Sequence, residues 1–310
     1  MRFVFAKPYG TIDLDRLRAR LPDAEIVAVE ERDRLAAELA EADAVVTHRL
    51  AAADTALATR LRLVQAVSAG ADSIERDAIP EGCALCIVGG HERAMAEWVL
   101  MATLALPRQL LRFDRDLREG VWHRHGEERL DLGEPELDGR TVVVLGYGQI
   151  GREVEKLASA LGARVSPVSR SLGNLGALAE ELERADFAVV AVALTPETEG
   201  LVGARELEAL GPESYLVNVA RGQIVDEDAL YEALRDGTIA GAALDVWYEY
   251  PKESGEVVLP SKLPFHELDN VLMTPHVSGR SRRTTERRGE FVAAQLERLA
   301  RGEPLVNVVR

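Results

Sequence analysis

Short runs of apolar and β-branched residues alternate along the whole chain with longer stretches in which apolar residues recur at helical spacing. This alternation is typical of parallel sheets whose strands are connected by crossover helices. The sequence therefore predicts an α/β protein with two doubly wound, Rossmann-like domains. The predicted strands lie at 2–6, 25–29, 43–47, 62–67 and 84–88, and then at 141–146, 164–168, 187–193, 214–219, 239–244 and 271–273.

Two longer helical patterns frame the second series of strands. One runs from Glu92 to Glu119 and is followed by Gly120, a residue that often ends a helix. The other runs from Ser281 to Ala300, and the segment 301–309 after it is predicted to be extended.

Length and charge limit the class of protein. The 310 residues are enough for two domains that each bury a core. The 37 Lys and Arg residues against 52 Asp and Glu leave a net charge of −15, which repels nucleic acid and anionic membranes. The longest apolar run, residues 94–106, contains Glu97 and is shorter than the roughly 18 residues of a membrane span. We expect a cytoplasmic protein that binds neither nucleic acid nor membranes.

Cys83 and Cys86 are the only cysteines, and they form a single CxxC pair. A structural zinc site would need a second pair or nearby histidines at the right spacing, so no metal site is predicted. A redox role is one alternative for the pair. The other is that both are small buried apolar side chains at the start of a strand.

A glycine motif follows the predicted strand at 141–145 directly and opens a helix. Gly146 allows a tight turn, Gly148 lets the backbone approach a pyrophosphate, and Gly151 lets the helix pack closely on the strand. The phosphates would bind the N–H groups at the helix N-terminus, where Gln149 and Ile150 lie. Strand, motif and helix in this order predict a bound dinucleotide.

The residue after the next strand indicates which nicotinamide cofactor is bound. An acidic side chain there would accept from the ribose 2′-OH and repel a 2′-phosphate, but the sequence has Ser169, Arg170 and Ser171. Two hydroxyls and a guanidinium suit a 2′-phosphate, so we expect NADP to be preferred over NAD. The alternative is that Arg170 is solvated in its loop or stacks on the adenine.

Three further segments carry recognisable sequence: VNVARGQIVDEDAL at 217–230, GTIAGAALDVW at 237–247 and DNVLMTPHVSG at 269–279. Together with LDGRTVVVLGYGQIG at 137–151, they resemble the D-isomer-specific 2-hydroxyacid dehydrogenases, which include D-lactate, phosphoglycerate, glyoxylate/hydroxypyruvate and formate dehydrogenases. Matching segments at 67–75 and 94–98 extend the resemblance toward the N-terminus.

The resemblance implies an oxidoreductase that transfers a hydride between a nicotinamide cofactor and a small 2-ketoacid or D-2-hydroxyacid. It implies a substrate-binding domain of residues 1–98 and 287–310, a dinucleotide-binding domain of residues 99–286, and an active site in the cleft between them. Members commonly dimerise through the cofactor domain, so a homodimer is expected.

The resemblance also assigns roles to single residues. Arg221 matches the residue that pairs with the substrate carboxylate and keto oxygen, and His276 matches the proton donor and acceptor. Asp245 matches the residue that holds the nicotinamide carboxamide, and the backbone N–H groups of Ala69 and Gly70 match those that bind the substrate carboxylate. The positions that match residues lining the cofactor are Ala193, Thr198, Val219 and Ala220.

The sequence departs from the family at one position. The usual Glu that hydrogen-bonds to the catalytic His lies five residues after the Asp, and Tyr250 occupies that place here, with Glu249 one residue earlier. This departure leaves a second interpretation open, a nucleotide-sensing binding protein of the same fold that resembles the C-terminal-binding corepressors. Arg221 and His276 favour the enzyme.

Overall fold

A computed structural model describes residues 1–7, 9, 12–123, 136–252 and 255–310. The described chain forms two compact units, Met1–His91 with Arg280–Arg310, and Glu92–Gly279. The chain passes from one unit to the other after His91 and again after Gly279. Both points lie earlier in the chain than the boundaries predicted from the sequence, which are 98/99 and 286/287. The second boundary differs because the first turns of the last helix already pack on the first unit, where Arg287 Nε donates to Gly90 O at 2.8 Å.

The first unit is built on a five-stranded parallel sheet in its described part, in the order β2-β1-β3-β4-β5. The chain runs from β1 outward to β2 and then returns past β1 to β3, so the sheet is doubly wound as predicted. The strands are β1 (Arg2–Ala6), β2 (Glu25–Val29), β3 (Ala44–Thr47), β4 (Leu63–Ala66) and β5 (Ala84–Cys86). The helices are α1 (Leu14–Arg20), α2 (Leu35–Leu39), α3 (Ala52–Thr55) and, from the end of the chain, α10 (Arg282–Arg301).

The predicted C-terminal segment returns to this sheet. Val308 forms an antiparallel bridge with Cys86 beside β5. Gln295 of α10, which is fully buried, donates to Val306 O at 2.8 Å and accepts from Val306 N at 3.0 Å. These bonds satisfy a polar side chain inside the core and fix the end of the chain on the unit.

The second unit contains a parallel sheet in the order β7-β6-β8-β9-β10-β11. The chain again reverses direction across its first strand, because β7 and β8 lie on opposite sides of β6. Ligands of such sheets bind beyond the carboxyl ends of the strands at this reversal. The strands are β6 (Thr141–Leu145), β7 (Arg164–Val168), β8 (Phe187–Val190), β9 (Tyr215–Asn218), β10 (Gly241–Leu244) and β11 (Val271–Met273).

The long helix predicted from Glu92 to Glu119 is wrong in one respect, because the structure has two helices there. Pro107 lies in the turn between them, where it removes a backbone donor, and Gln109 has a left-handed φ of 47°. The helices of the second unit are α4 (Glu92–Ala105), α5 (Leu110–Arg118), α6 (Gln149–Ser159), α7 (Leu178–Leu182), α8 (Ala204–Leu210) and α9 (Glu227–Arg235).

The two cysteines lie on opposite faces of the first sheet. Cys83 belongs to the core cluster that contains Leu85, whereas Cys86 belongs to the cluster on the other face. Neither forms a disulfide in the structure. Burial raises the pKa of Cys83 to about 12 and that of Cys86 to about 11, so both remain thiols at neutral pH. Both residues are free and buried in the structure, which is what the second alternative, that of core side chains, predicts.

Two kinds of feature are absent from the described part of the chain. No helix among them is long and apolar enough to cross a membrane. No group of three or more His, Cys, Asp or Glu side chains in the same part of the chain could hold a metal ion.

Candidate active site

The site residues predicted in the second unit all follow the carboxyl end of a strand. Because every pairing in this sheet is parallel, these ends meet at one edge. The glycine turn follows β6, Ser169 follows β7, and Ala193 follows β8. Arg221, Asp245 and His276 follow β9, β10 and β11, which are neighbours. The fold therefore brings residues from six separate segments to the same edge.

The glycine turn has the conformation that the motif predicts. Gly146 has a φ of +98°, and a Cβ at this position would lie 2.6 Å from the carbonyl oxygen of Ala191, at the point where the sheet reverses direction. A Cβ on Gly151 would lie 2.2 Å from Gly146 O, so the helix can approach the strand only with glycine there. At Gly148 a Cβ would meet no atom of the described residues within 4 Å, so none of those residues requires glycine at that exposed position.

This geometry fits a dinucleotide. The open face at Gly148 adjoins the first turn of α6, where the leading N–H groups of a helix have no intrahelical acceptor. Gln149 and Ile150 are the first two residues of that turn. Phosphate oxygens are suitable acceptors for such N–H groups, and the helix dipole favours their charge.

The loop after β7 presents Arg170 to solvent. Ser169 is buried, and its hydroxyl accepts from Leu172 N at 3.3 Å and contacts Ser171 Oγ at 2.9 Å. Arg170 is exposed, and its guanidinium lies 3.9 Å from the carboxylate of Glu197. Exposed pairs of this kind contribute little free energy. The Arg170 guanidinium is therefore accessible, whereas the Ser169 hydroxyl is used to shape the turn.

The loop after β8 is held by Thr198. Its hydroxyl, which is buried, donates to Ala193 O at 2.7 Å and accepts from Thr195 N at 2.8 Å. Ala193 is exposed at the edge of the sheet. Thr198 therefore shapes the predicted cofactor loop from within.

Arg221 lies in a loop that Asn218 holds in shape. The Asn218 amide accepts from Ala220 N at 3.0 Å and donates to Arg221 O at 2.9 Å, and Val219 is buried between them. The Arg221 guanidinium is partly exposed and donates to Ala220 O at 2.7 Å. The next residue, Gly222, packs so closely on Trp247 that a Cβ there would lie 2.5 Å from Trp247 O.

Asp245 holds the loop that carries His276. Its carboxylate is fully buried and accepts from Thr274 Oγ1 at 2.5 Å, Val277 N at 2.8 Å and Ser278 N at 2.7 Å. His276 is exposed and has a φ of +56°, a left-handed conformation that is uncommon for a residue with a side chain. The bonds from Asp245 on both sides of His276 stabilise this backbone. The contact of Asp245 with a nicotinamide carboxamide stays a prediction.

Tyr250 is the partner of the His276 ring. Tyr250 Oη lies 3.2 Å from His276 Nδ1 and accepts from Trp247 N at 3.1 Å. The indole of Trp247 is buried and donates to Thr274 O at 2.8 Å. Glu249 is exposed and makes no side-chain hydrogen bond or ion pair with any described residue. The position five residues after Asp245 therefore contacts the histidine, although it is a tyrosine.

Ala69 and Gly70 lie in the first unit, in the turn after β4. Ser68 Oγ donates to Gly70 O at 2.6 Å and shapes this turn. Within the described residues, the N–H groups of Ala69 and Gly70 donate to no protein acceptor. Such N–H groups are suited to bind an anion, but their role toward a substrate stays a prediction.

Sequence reasoning missed the residues that shape the site without facing a ligand. Asn218, Trp247, Thr274 and Ser278 are four of them. For Asn218 the sequence does contain a signal, because this residue ends a predicted strand and directly precedes Val219, Ala220 and Arg221. An Asn amide at the end of a strand commonly hydrogen-bonds to the backbone of the following turn. The bonds of Asp245 to the loop at 274–278 connect segments far apart in sequence and left no local signal.

Comparison with known proteins agrees with this arrangement. Residues 100–278 match the family profile described as D-isomer specific 2-hydroxyacid dehydrogenase, NAD binding domain. A glyoxylate reductase from Pyrococcus furiosus is 33% identical over 291 residues, covering 88% of this chain and 83% of that protein. A D-3-phosphoglycerate dehydrogenase from Archaeoglobus fulgidus is 30% identical, and the match covers 100% of this chain but 59% of that protein.

A solved structure matches both units. The D-isomer specific 2-hydroxyacid dehydrogenase from Xanthobacter autotrophicus Py2, crystallised in complex with NADPH and MES, is 29% identical. The comparison has a TM-score of 0.79 and covers 99% of this chain and 98% of that chain.

Fold, site and comparisons define an oxidoreductase that uses a nicotinamide cofactor. The chain belongs to the D-isomer-specific 2-hydroxyacid dehydrogenase family, as its sequence predicted. Its reaction is the family's, hydride transfer between NAD(P) and a 2-hydroxyacid or 2-ketoacid.

Proposed function

We propose that this protein reduces a small 2-ketoacid with NADPH, using Arg221 to bind the substrate and His276 to supply the proton. One observation carries the proposal: both side chains lie at the same edge of one parallel sheet as the dinucleotide turn, after strands β9 and β11. Glyoxylate is the first substrate to test, because similar proteins carry the name glyoxylate reductase.

The cofactor, when bound, supplies the hydride that adds to the carbonyl carbon. The Arg221 guanidinium offers two parallel N–H donors, which suits a carboxylate and stabilises charge that develops on the neighbouring keto oxygen. The protonated ring of His276 gives the hydrogen on Nε2, the ring nitrogen opposite the one that Tyr250 contacts, to that oxygen as the carbon is reduced, and the neutral ring keeps its hydrogen on Nδ1. In the oxidation direction the same nitrogen accepts the proton.

The turn at Ala69 and Gly70 supports a carboxylate as the substrate's fixed group. Its N–H groups, which donate to no described protein acceptor, can bind an anion whatever the rest of the molecule is. The substrate is therefore recognised by its 2-ketoacid end. We expect steady-state turnover with glyoxylate, pyruvate and hydroxypyruvate to exceed turnover with the matching aldehydes that lack a carboxylate. Equal turnover of the aldehydes would contradict the proposal.

The exposed Arg170 supports the choice of cofactor. Its guanidinium is accessible beside the end of β7, and no carboxylate occupies the adjoining position 169. A 2′-phosphate there would gain a charge-assisted hydrogen bond. NADPH is therefore proposed as the preferred reductant, with NADH as the weaker alternative.

A homodimer is proposed through α5 of the cofactor-binding unit. No residue of this helix is buried, and it exposes Leu110, Leu111 and Leu117 by more than half, next to Trp122, which is 74% exposed. Contiguous exposed apolar side chains mark interaction surfaces, and closed two-fold dimers are the commonest assembly.

Light scattering after size-exclusion chromatography tests this proposal. The parent should have twice the 33.9 kDa mass of one chain, and Leu117→Glu with Trp122→Glu should give monomers, because the charges would be buried in the dimer. Leu57→Glu, at a 60% exposed leucine of the other unit, is the control and should leave the dimer intact. A monomeric parent would show that α5 has another role.

We also propose that the protein works in the cytoplasm without nucleic-acid or membrane partners. Two free cysteines suit a reducing compartment, and the net charge of −15 disfavours anionic surfaces.

A further inference from the structure

In the first unit, the segment after β3 runs beside the Ala69–Gly70 turn that follows β4. Two backbone hydrogen bonds connect the two segments: Val67 N donates to Thr47 O at 3.0 Å, and Leu50 N donates to Ser73 O at 3.3 Å. The turn lies between Val67 and Ser73 in the sequence. The two residues between Thr47 and Leu50 therefore lie next to it, at about the 4.8 Å spacing of neighbouring strands.

Arg49, one of these two residues, has a fixed backbone and an exposed side chain. Its carbonyl oxygen accepts from Thr47 Oγ1 at 2.9 Å and from Arg32 Nη1 at 3.1 Å, and its N–H donates to Thr47 Oγ1 at 3.3 Å. Thr47 is fully buried. The Arg49 guanidinium makes no hydrogen bond or ion pair with any described residue. The position is therefore held firmly, while the N–H donors of the guanidinium are available to a ligand.

The carboxylates of the surrounding segments do not neutralise Arg49. Asp54 pairs with Arg32. Glu75 accepts from the first N–H of α3 at 2.8 Å. Asp72 is exposed, and within the described part of the chain it forms no ion pair with Arg49. An anion near the Ala69–Gly70 turn would therefore meet the full positive charge of this arginine.

We propose that Arg49 binds a second anionic group of the substrate, so that the protein prefers 2-ketoacids that carry a further carboxylate or a phosphate. The inference rests on the proposed function, in which the Ala69–Gly70 turn binds the carboxylate of the 2-ketoacid end. A guanidinium offers parallel N–H donors that match a carboxylate or a phosphate. A substrate with an anionic group at each end would then be held by the turn and by Arg49 together.

The test compares kcat/KM of the parent and Arg49→Ala for three doubly anionic substrates, oxaloacetate, 2-ketoglutarate and phosphohydroxypyruvate, and for monocarboxylic 2-ketobutyrate. The parent should use at least one of the three better than 2-ketobutyrate. Arg49→Ala should lower kcat/KM for that substrate about tenfold to a hundredfold, the effect of losing a charged hydrogen bond, and should change 2-ketobutyrate little. The loss should appear mainly in KM, because Arg49 binds an end remote from the reacting carbon.

The substrate that loses most identifies the second group. A large loss with oxaloacetate or 2-ketoglutarate assigns a carboxylate, and a large loss with phosphohydroxypyruvate assigns a phosphate. Arg49→Lys keeps the charge without the forked geometry, so its kcat/KM should lie between those of the parent and Arg49→Ala.

Calorimetric titration of the NADPH-loaded protein gives a second readout that does not depend on turnover, because a hydroxyacid cannot be reduced further. D-malate, D-3-phosphoglycerate and D-2-hydroxybutyrate are the probes. Arg49→Ala should weaken D-malate or D-3-phosphoglycerate by roughly tenfold or more and leave D-2-hydroxybutyrate nearly unchanged. Arg49 is exposed and its bonds to the protein are made by its backbone, so the substitution should not unfold the chain.

Arg62→Ala is the matched control. This exposed arginine precedes β4, at the opposite end of that strand from the turn, and its N–H donates to Asp43 O at 2.9 Å. Its loss should leave all of these values unchanged. A parent that prefers 2-ketobutyrate to every doubly anionic substrate, or an Arg49→Ala variant that affects all ketoacids equally or none, would overturn the inference. Failure of the proposed function looks different, because the parent would then reduce neither 2-ketobutyrate nor any doubly anionic ketoacid.

Discussion

His276→Ala should lower kcat/KM for ketoacid reduction by about 10²–10⁴-fold, the usual contribution of a positioned general acid. Arg221→Ala should lower it by about 10²–10³-fold, because the substrate loses a charged donor that stabilises the keto oxygen in the transition state. Cofactor affinity, measured by fluorescence titration, should change little in either variant, since neither side chain lies in the glycine turn. Both losses should appear in kcat/KM.

Matched controls separate chemistry from folding. His266→Ala removes an exposed histidine and Arg235→Ala an exposed arginine paired with Asp236, and both should retain the parent's activity. Arg221→Lys keeps the charge but loses the forked geometry, so its activity should lie between those of the parent and Arg221→Ala. Turnover within a few-fold of the parent for His276→Ala or Arg221→Ala would show that the assigned role is wrong.

The second large effect concerns the choice of cofactor. Loss of one charge-assisted hydrogen bond costs about 1.5–3 kcal/mol, so Arg170→Ala should weaken NADPH binding roughly tenfold to a hundredfold and leave NADH binding nearly unchanged. Adding Ser169→Asp should reverse the preference, because a carboxylate accepts from a ribose 2′-OH and repels a 2′-phosphate. Aspartate also caps helical turns well, so the turn that Ser169 caps should persist.

Arg164→Ala is the control, because this arginine lies at the other end of the same strand and bonds Thr141 Oγ1 at 3.3 Å. If Arg170 stacks on the adenine instead, Arg170→Ala will weaken both cofactors equally. Equal or tighter binding of NADH by the parent would contradict the NADPH preference.

Most of the fold could be predicted because the strands are short, apolar and separated by helical periods. All of the predicted strands are present, some of them shorter at their ends. The prediction of one helix from Glu92 to Glu119 failed at Pro107. The apolar residues keep their helical spacing across this position, but proline lacks the N–H donor of a continuous helix, and the backbone turns there. The order of strands in each sheet had to come from the structure, since period and composition do not encode which strands are neighbours.

The candidate site, like the fold, could be predicted from the sequence only in part. The glycine turn, Arg221, His276 and the position of Tyr250 carry local sequence signals. The bonds from Asp245 to the loop around His276, and the support of Arg221 by Asn218 and Trp247, depend on contacts between strands. Tyr250 combines a local sequence signal with a contact that only the structure shows. Its place in the sequence is that of the family's usual carboxylate, and the structure shows that its hydroxyl contacts Nδ1 of His276.

The most direct test of the central claim uses NADPH labelled with deuterium on the transferred position. The protein is incubated with the labelled cofactor and 2-ketobutyrate, and the product is analysed by mass spectrometry and chiral chromatography. We predict 2-hydroxybutyrate of the D configuration with one deuterium at C2, and at least about a hundredfold less of it from His276→Ala in the same time. Tight binding of NADPH without labelled product from any 2-ketoacid tested, or a product of the L configuration, would contradict it.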